Sequence, residues 1–186
     1  MIEDVVWEVH QLLDDLGIRH AFGGALALNY YATPRATVDV DINIAVDFHE
    51  ADPLVAKFER VDFRPMLDRS QWMPSGGVRL LRDVAIVDLF FAFDDYHRIV
   101  LDNASLLPML LPSGNQFEVP IMAADDLVVF KASFNRAKDW VDIGAMIDSG
   151  TPIDADYVTE HLVALRGPTA YPRAARIQKM LSQGPT

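Results

Sequence analysis

Residues 21–44 read AFGGALALNYYATPRATVDVDINI, and the order of features in that stretch decides what kind of fold the chain can form. A short apolar run from residue 18 closes on Gly23-Gly24, and an alanine- and leucine-rich run over 25–31 follows. Thr33-Pro34 then breaks the pattern before a β-type run over 38–46 that carries Asp39 and Asp41. The order predicted is strand, glycine turn, helix, strand. An apolar strand has no packing reason to hold two acids spaced one apart. Side chains alternate faces along a strand, so both carboxylates emerge on the same side, about 7 Å apart by the strand rise, where divalent cations can bridge them. The bland alternative is an exposed edge strand with solvated acids.

On the N-terminal side, Val5, Val6, Val9, Leu12, Leu13 and Leu16 recur at helical spacing, with Gly17 placed as a C-cap. On the C-terminal side, residues 52–58 read as a helix, and 63–67 and 71–73 as weak strands ahead of a turn at Pro74-Ser75-Gly76-Gly77. Residues 84–93 form the second strong strand pattern. Val84, Ile86, Asp88 and Phe90 share one of its faces, so Asp88 is a third acid among large apolar neighbours. Residues 99–111 are loosely patterned, 118–122 are short and extended, and 124–148 give the longest helical pattern. Leu127, Phe130, Phe134, Ala137, Val141 and Met146 form its apolar stripe, and Lys131, Lys138, Asp139 and Asp142 carry its charge. Pro152, Gly167, Pro168 and Pro172 punctuate two further short helices, and the last few residues are expected to fray.

With 186 residues the chain is long enough to bury a real core. The absence of cysteine excludes disulfides and thiolate zinc sites and makes a cytoplasmic protein the plain expectation. The acidic, helical start and the lack of an eighteen-residue apolar run lead to the expectation of a soluble, unexported protein with no membrane partner. A net charge of −11 argues against binding long duplex nucleic acid, because that affinity rests on Lys and Arg replacing counterions. A single RNA end remains compatible with the charge if Arg64, Arg69, Arg79 and Arg82 form one patch.

Three carboxylates on two apolar strands suit a magnesium or manganese pair, since hard cations take oxygen ligands. Two metals held this way can activate an attacking hydroxyl and neutralise leaving pyrophosphate, the physics of phosphoryl and nucleotidyl transfer. Gly23-Gly24 between strand and helix would expose backbone N–H groups to a phosphate, although such a pair is more often a tight turn. The five histidines show no i, i+4 pair and read as surface or packed residues, and Trp7, Trp72 and Trp140 read as core or interface anchors.

Gly23-Gly24 followed by Asp39-Val40-Asp41 resembles the signature of the nucleotidyltransferase superfamily typified by DNA polymerase beta. Within it, Arg35-Ala36-Thr37-Val38-Asp39-Val40-Asp41, Asp88 in IVDLFF, and Lys131 with Lys138-Asp139-Trp140-Val141-Asp142 are similar to the AbiEii-type toxin nucleotidyltransferases and their relatives. The fourteen-residue spacer between Gly24 and Asp39 is slightly longer than their commonest pattern. The resemblance implies an α/β (α+β) fold, a mixed β-sheet flanked by α-helices. Residues 1–148 would form the nucleotidyltransferase-like domain, and 149–186 a short helical extension packed on it. It implies catalytic and metal-binding roles for Asp39, Asp41 and Asp88, with Asp88 also the base. Gly23, Gly24, Arg35, Thr37 and Lys131 would hold the nucleotide. The cofactor would be Mg²⁺ or Mn²⁺, with an NTP such as ATP as substrate. The acceptor would be a hydroxyl of a protein, an RNA end or a small molecule, and a protein antitoxin is an implied partner. A catalytically inactive nucleotide- or protein-binding module of the same fold is the competing reading. A metal-dependent phosphohydrolase is a third, lacking the usual histidine clusters.

Overall fold

The alternation around Asp39 and Asp41 is a strand in the computed structural model, which describes residues 1–184 apart from the side chains of residues 73–75. Strand β2 (Asp39–Ile44) pairs antiparallel with β1 (His20–Phe22) and parallel with β5 (Ala85–Phe91), and these form the middle of a seven-stranded sheet. Its order is β3-β4-β5-β2-β1-β7-β6, with β3 (Arg64–Pro65), β4 (Val78–Arg82), β6 (Ser105–Leu110) and β7 (Gln116–Ile121). The pairs β1–β7 and β2–β5 are parallel and the rest antiparallel, so the sheet is mixed.

Register sorts the side chains into two kinds of face. Val40, Ile42 and Ile44 stand opposite Val87, Leu89 and Phe91, and all six are buried. Burying such a ladder contributes about 2 kcal/mol per side chain, which is what holds these two strands in register. The alternate face carries the polar outliers, Asp39 opposite Ile86 and Asp41 opposite Asp88.

The residues group into two compact units, one of residues 1–26 and 36–122, the other of residues 27–35 and 123–184 among those described. The first holds the sheet together with α1 (Ile2–Asp15), α3 (Ala51–Glu59), α4 (Arg69–Ser75) and α5 (Asp95–Asn103). Helix α1 buries Val5, Val6, Val9 and Leu13, the stripe its spacing predicts, and α3 buries Leu54, Val55 and Phe58. The second unit takes most of α2 (Gly24–Tyr31) and all of α6 (Ala124–Phe134), α7 (Ala137–Asp148), α8 (Ala155–Arg166) and α9 (Tyr171–Gln183). Leu127, Val128, Ile143, Met146, Val158, Leu162 and Ile177 form its core.

Three expectations change. Residues 71–73 lie in α4 rather than a strand, since a three-residue run is too short to show a period; the Trp72 indole donates to the Leu67 carbonyl at 2.9 Å beside it. The loose stretch 99–111 is the end of α5 followed by β6, whose edge position tolerates Pro108. The long pattern 124–148 is two helices, because Asn135 adopts a left-handed conformation at φ +58° and ends α6. The break turns Val141 and Phe134 to solvent and sends the lysines apart, Lys131 buried and Lys138 exposed. Among the described residues no helix is long and apolar enough to cross a membrane. Part of the frayed end expected from the sequence, Pro185 and Thr186, lies outside the described residues.

Candidate active site

In the first unit, the β1 strand runs into Gly23-Gly24 directly beside β2. The Gly23 N–H donates to the Asp41 carbonyl at 2.8 Å, so that amide belongs to the fold rather than to a ligand. Gly24 has φ +57°, and a Cβ there would lie 1.7 Å from Oδ2 of Asp41. The glycine is therefore required twice, for its backbone conformation and for the room it leaves the carboxylate. A Cβ at Gly23 would meet Cε of Met122 at 3.0 Å, a tight but flexible neighbour. Thr37 braces the start of β2, its hydroxyl donating to the Asp39 carbonyl at 3.1 Å while the Asp39 N–H donates to it at 3.2 Å.

Asp88 lies opposite Asp41 on one side and opposite Arg79 on the other. Arg79 takes it in a fork, Nε to Oδ1 at 2.7 Å and Nη2 to Oδ2 at 2.6 Å. The Asp88 side chain is 11% exposed and that of Arg79 45%. The hydrogen bonds to Asp88 push the guanidinium pKa up against the opposing effect of burial, and the charges of Asp88, Asp39 and Asp41 add to that rise. All three acids thus act on one arginine.

The donor chemistry fits a hard divalent cation, for which one or two protein carboxylates completed by substrate phosphates suffice. Asp39 and Asp41, on one face of β2, are the residues that would hold it. A three-carboxylate centre is not assembled: among the described residues no group of three or more His, Asp or Glu side chains is gathered to hold a metal ion. Asp88 is instead bound by Arg79.

The remaining predicted nucleotide-binding residues lie in the second unit. Lys131 donates from Nζ to Oδ2 of Asp142 at 2.6 Å, with the two side chains 7% and 9% exposed. Arg35 reaches the same oxygen at 3.3 Å, and its backbone is tied to the Asn29 side chain. Asp139 accepts from the backbone N–H and the guanidinium of Arg136. Burial alone would raise its pKa; hydrogen bonds and charge from Arg136, with the charge of Lys131, outweigh that and hold it below the ordinary carboxylate value. Asp142 is thus paired with Lys131 and Arg35, and Asp139 with Arg136.

Arg79 is the residue that reading the sequence missed as part of the acid site. Its signal was present, since a cation at the antiparallel position opposite a buried acid is the natural partner, but the register was needed to see it. The four-arginine patch does not arise as a bare cationic surface: Arg64 pairs with Asp62, Arg69 with Asp52, Arg79 with Asp88 and Arg82 with Glu8. An open cleft of about 480 Å³ at the β3–β4 edge is lined by Asp62, Arg64, Pro65, Met66, Leu81, Arg82 and Asp83, and none of Asp39, Asp41 and Asp88 borders it.

The histidines also hold a surprise. His10 and His20 are hydrogen-bonded ring to ring at 2.9 Å, while the His20 Nδ1 lies 2.8 Å from the Ile18 carbonyl. Since a carbonyl only accepts, the neutral His20 carries its proton on Nδ1, and its Nε2 accepts a hydrogen bond from Nδ1–H of His10.

No protein-family model matches the chain. No curated protein matches it either. Solved structures do. The antibiotic-resistance factor ANT(2'')-Ia superposes with a TM-score of 0.59 at 12% identity, over 93% of this chain and 95% of the other. An antigenic nucleotidyltransferase-like protein from Paracoccidioides brasiliensis gives 0.55 at 20% identity over 92% and 91%. The lincosamide antibiotic adenylyltransferase LnuA in its lincomycin-bound form gives 0.50 at 14% identity over 77% and 95%. A seven-stranded mixed sheet flanked by helices is thus the architecture this chain has in common with these proteins, and the chain has the nucleotidyltransferase fold.

Proposed function

We propose that the chain transfers a nucleoside monophosphate from an NTP to a hydroxyl acceptor. The observation that carries this reading is the register that sets Asp39, Asp41 and Asp88 on one face of β2 and β5, with Gly24 against Asp41. Asp39 and Asp41 would hold Mg²⁺ or Mn²⁺, which would supply charge neutralisation at the phosphates. The acceptor oxygen forms a bond to the α-phosphorus, the bond from that phosphorus to the bridging oxygen breaks, and pyrophosphate leaves. Asp88 takes the acceptor proton, a step a carboxylate performs when it lies within hydrogen-bond reach of the attacking hydroxyl. The Gly24 turn seats the phosphates beside Asp41, and Thr37 braces the start of the strand that carries both metal-binding acids.

For the acceptor, a small hydroxylated molecule is supported by the neighbours of similar length, one of them named for a lincosamide antibiotic. The Arg35-to-Asp41 motif supports a finer reading, a toxin-like transferase held in check by a protein antitoxin. The Arg79 fork on Asp88 supports the rival reading, a catalytically inactive nucleotide- or protein-binding module.

Magnesium-dependent transfer of labelled NTPs is expected to fall by about 100-fold or more in D39N and D41N. Unchanged transfer in both would sink the site, and absence of transfer from the wild type with every acceptor class would favour the binding module. Expressed in cells, wild type slows growth and the two variants do not, if the toxin-like role holds; equal growth removes that role alone.

A further inference from the structure

We infer that Arg79 is a positioning residue, the resident counter-cation of the acid face, and that it withholds Asp88 from a divalent cation until its guanidinium is drawn off. This rests on the reading of Asp39 and Asp41 as a cation-holding pair. The register leaves Asp88 between two neighbours, Asp41 across β2–β5 and Arg79 across β4–β5. The fork to Arg79 uses both carboxylate oxygens, at 2.7 and 2.6 Å, so a metal ion cannot take Asp88 without sharing or displacing the guanidinium. Three carboxylates at adjacent positions repel one another unless a cation is present, and Arg79 is the cation this face carries. Its permanent charge cannot be lost by deprotonation, so the pair opens by movement.

The two side chains differ in how easily they move. Asp88 is short and 11% exposed, held by the sheet; Arg79 is long and 45% exposed. The guanidinium is therefore the mobile half of the pair. Its planar fork matches a phosphate as well as a carboxylate, so an anion arriving at the face can draw it away and leave Asp88 to a cation. Arg79 thereby makes completion of the acid site conditional on an anionic ligand. It also explains why three acids are tolerated together on one sheet face in the resting protein.

Mn²⁺ itself is the probe, its binding to the nucleotide-free chain followed by loss of the free-ion paramagnetic resonance signal. R79M is expected to bind Mn²⁺ about tenfold or more tightly than wild type, since a cation near the site has been removed and a carboxylate released. R79K, which keeps the charge, is expected to stay within about threefold of wild type, and so is R79M/D88N, which removes the pair as a unit. The inference is overturned if R79M binds no tighter than wild type, or if R79M/D88N binds about tenfold more weakly, which would make Asp88 a ligand already in the resting protein. Should R79M fail to fold, the charge-balanced double variant decides by itself. If D39N keeps full nucleotidyl transfer while R79M still gains Mn²⁺ affinity, the catalytic reading has failed and the counter-cation stands.

Discussion

Gly24 and Asp41 show how one residue type can be demanded by a neighbour seventeen positions away. The left-handed φ of +57° would alone make alanine unfavourable, and the 1.7 Å approach of Oδ2 adds a steric demand that the short Asp41 side chain can meet only by turning away. G24A is therefore expected to cost about 2–4 kcal/mol and to reduce transfer as Asp41 is displaced. Gly17 provides the control: its φ is +65° with nothing within 4 Å of an added Cβ, so G17A is expected to cost about 1 kcal/mol and leave transfer unchanged. Urea unfolding and the labelled-NTP assay on the two variants check this, and equal costs would show that the contact with Asp41 does not matter. The glycine pair and both aspartates were legible from spacing. That Asp88 is already paired was not, because Arg79 lies nine residues before it and only the hairpin brings them level.

Among the elements, the α6–α7 junction departs most from the sequence pattern. An apolar repeat running through residues 124–148 has the right period on both sides of the break, so periodicity cannot reveal it. What ends α6 is Asn135, whose side chain tolerates the left-handed region and also accepts from the Trp140 indole at 2.8 Å. What starts α7 is Asp139, bonded back to the Arg136 N–H at 2.9 Å, one half of a capping box. N135G keeps the backbone and loses the indole bond, for an expected cost of about 1 kcal/mol. N135A loses both and is expected to cost about 1–2 kcal/mol more than N135G. Denaturant midpoints of the two variants test the order; an alanine variant at least as stable as the glycine one would mean that the left-handed turn is not what separates the helices.

At the level of the whole molecule, the two units answer to acid differently. In the first, burial lowers the pKa of His10 and of His20, outweighing the pull of Asp14 on both and of the Ile18 carbonyl on His20. A folded value below the unfolded one means that the unfolded chain binds more protons, so stability declines as pH falls below about 6.5. In the second unit Asp139 lies below its ordinary value, so its contribution is complete above about pH 4 and is lost as pH falls through the folded value. Asp94 adds to the acid-side loss in the first unit: burial would raise it, but hydrogen bonds from His97 hold it low. Asp125, raised chiefly by burial, works in the opposite direction in the second unit. Amide exchange at stepped pH is expected to show the strands and α1 of the first unit loosening near pH 6, before α6 and α7. H10N/H20N is expected to remove that early step and D139N to flatten the later one; an early step that persists without the histidines would assign it to another group.

The sequence by itself determined the strand that carries Asp39 and Asp41, the glycine turn before it and the fold class. Those follow from local chemistry: a period of two, an obligatory glycine and a break at proline are written in adjacent residues. Only the tertiary structure decided which charges meet. Asp88 could have faced a metal or an arginine, and Lys131 a phosphate or Asp142; strand register made the first choice and the left-handed turn at Asn135 preceded the second, while His10 met its partner on a different element. Electrostatic partners are set by through-space distances of a few ångströms between residues far apart in the chain, and no local pattern encodes them. The strand that announced a site was visible at once, whereas the cation guarding its third acid had to be brought there by the fold.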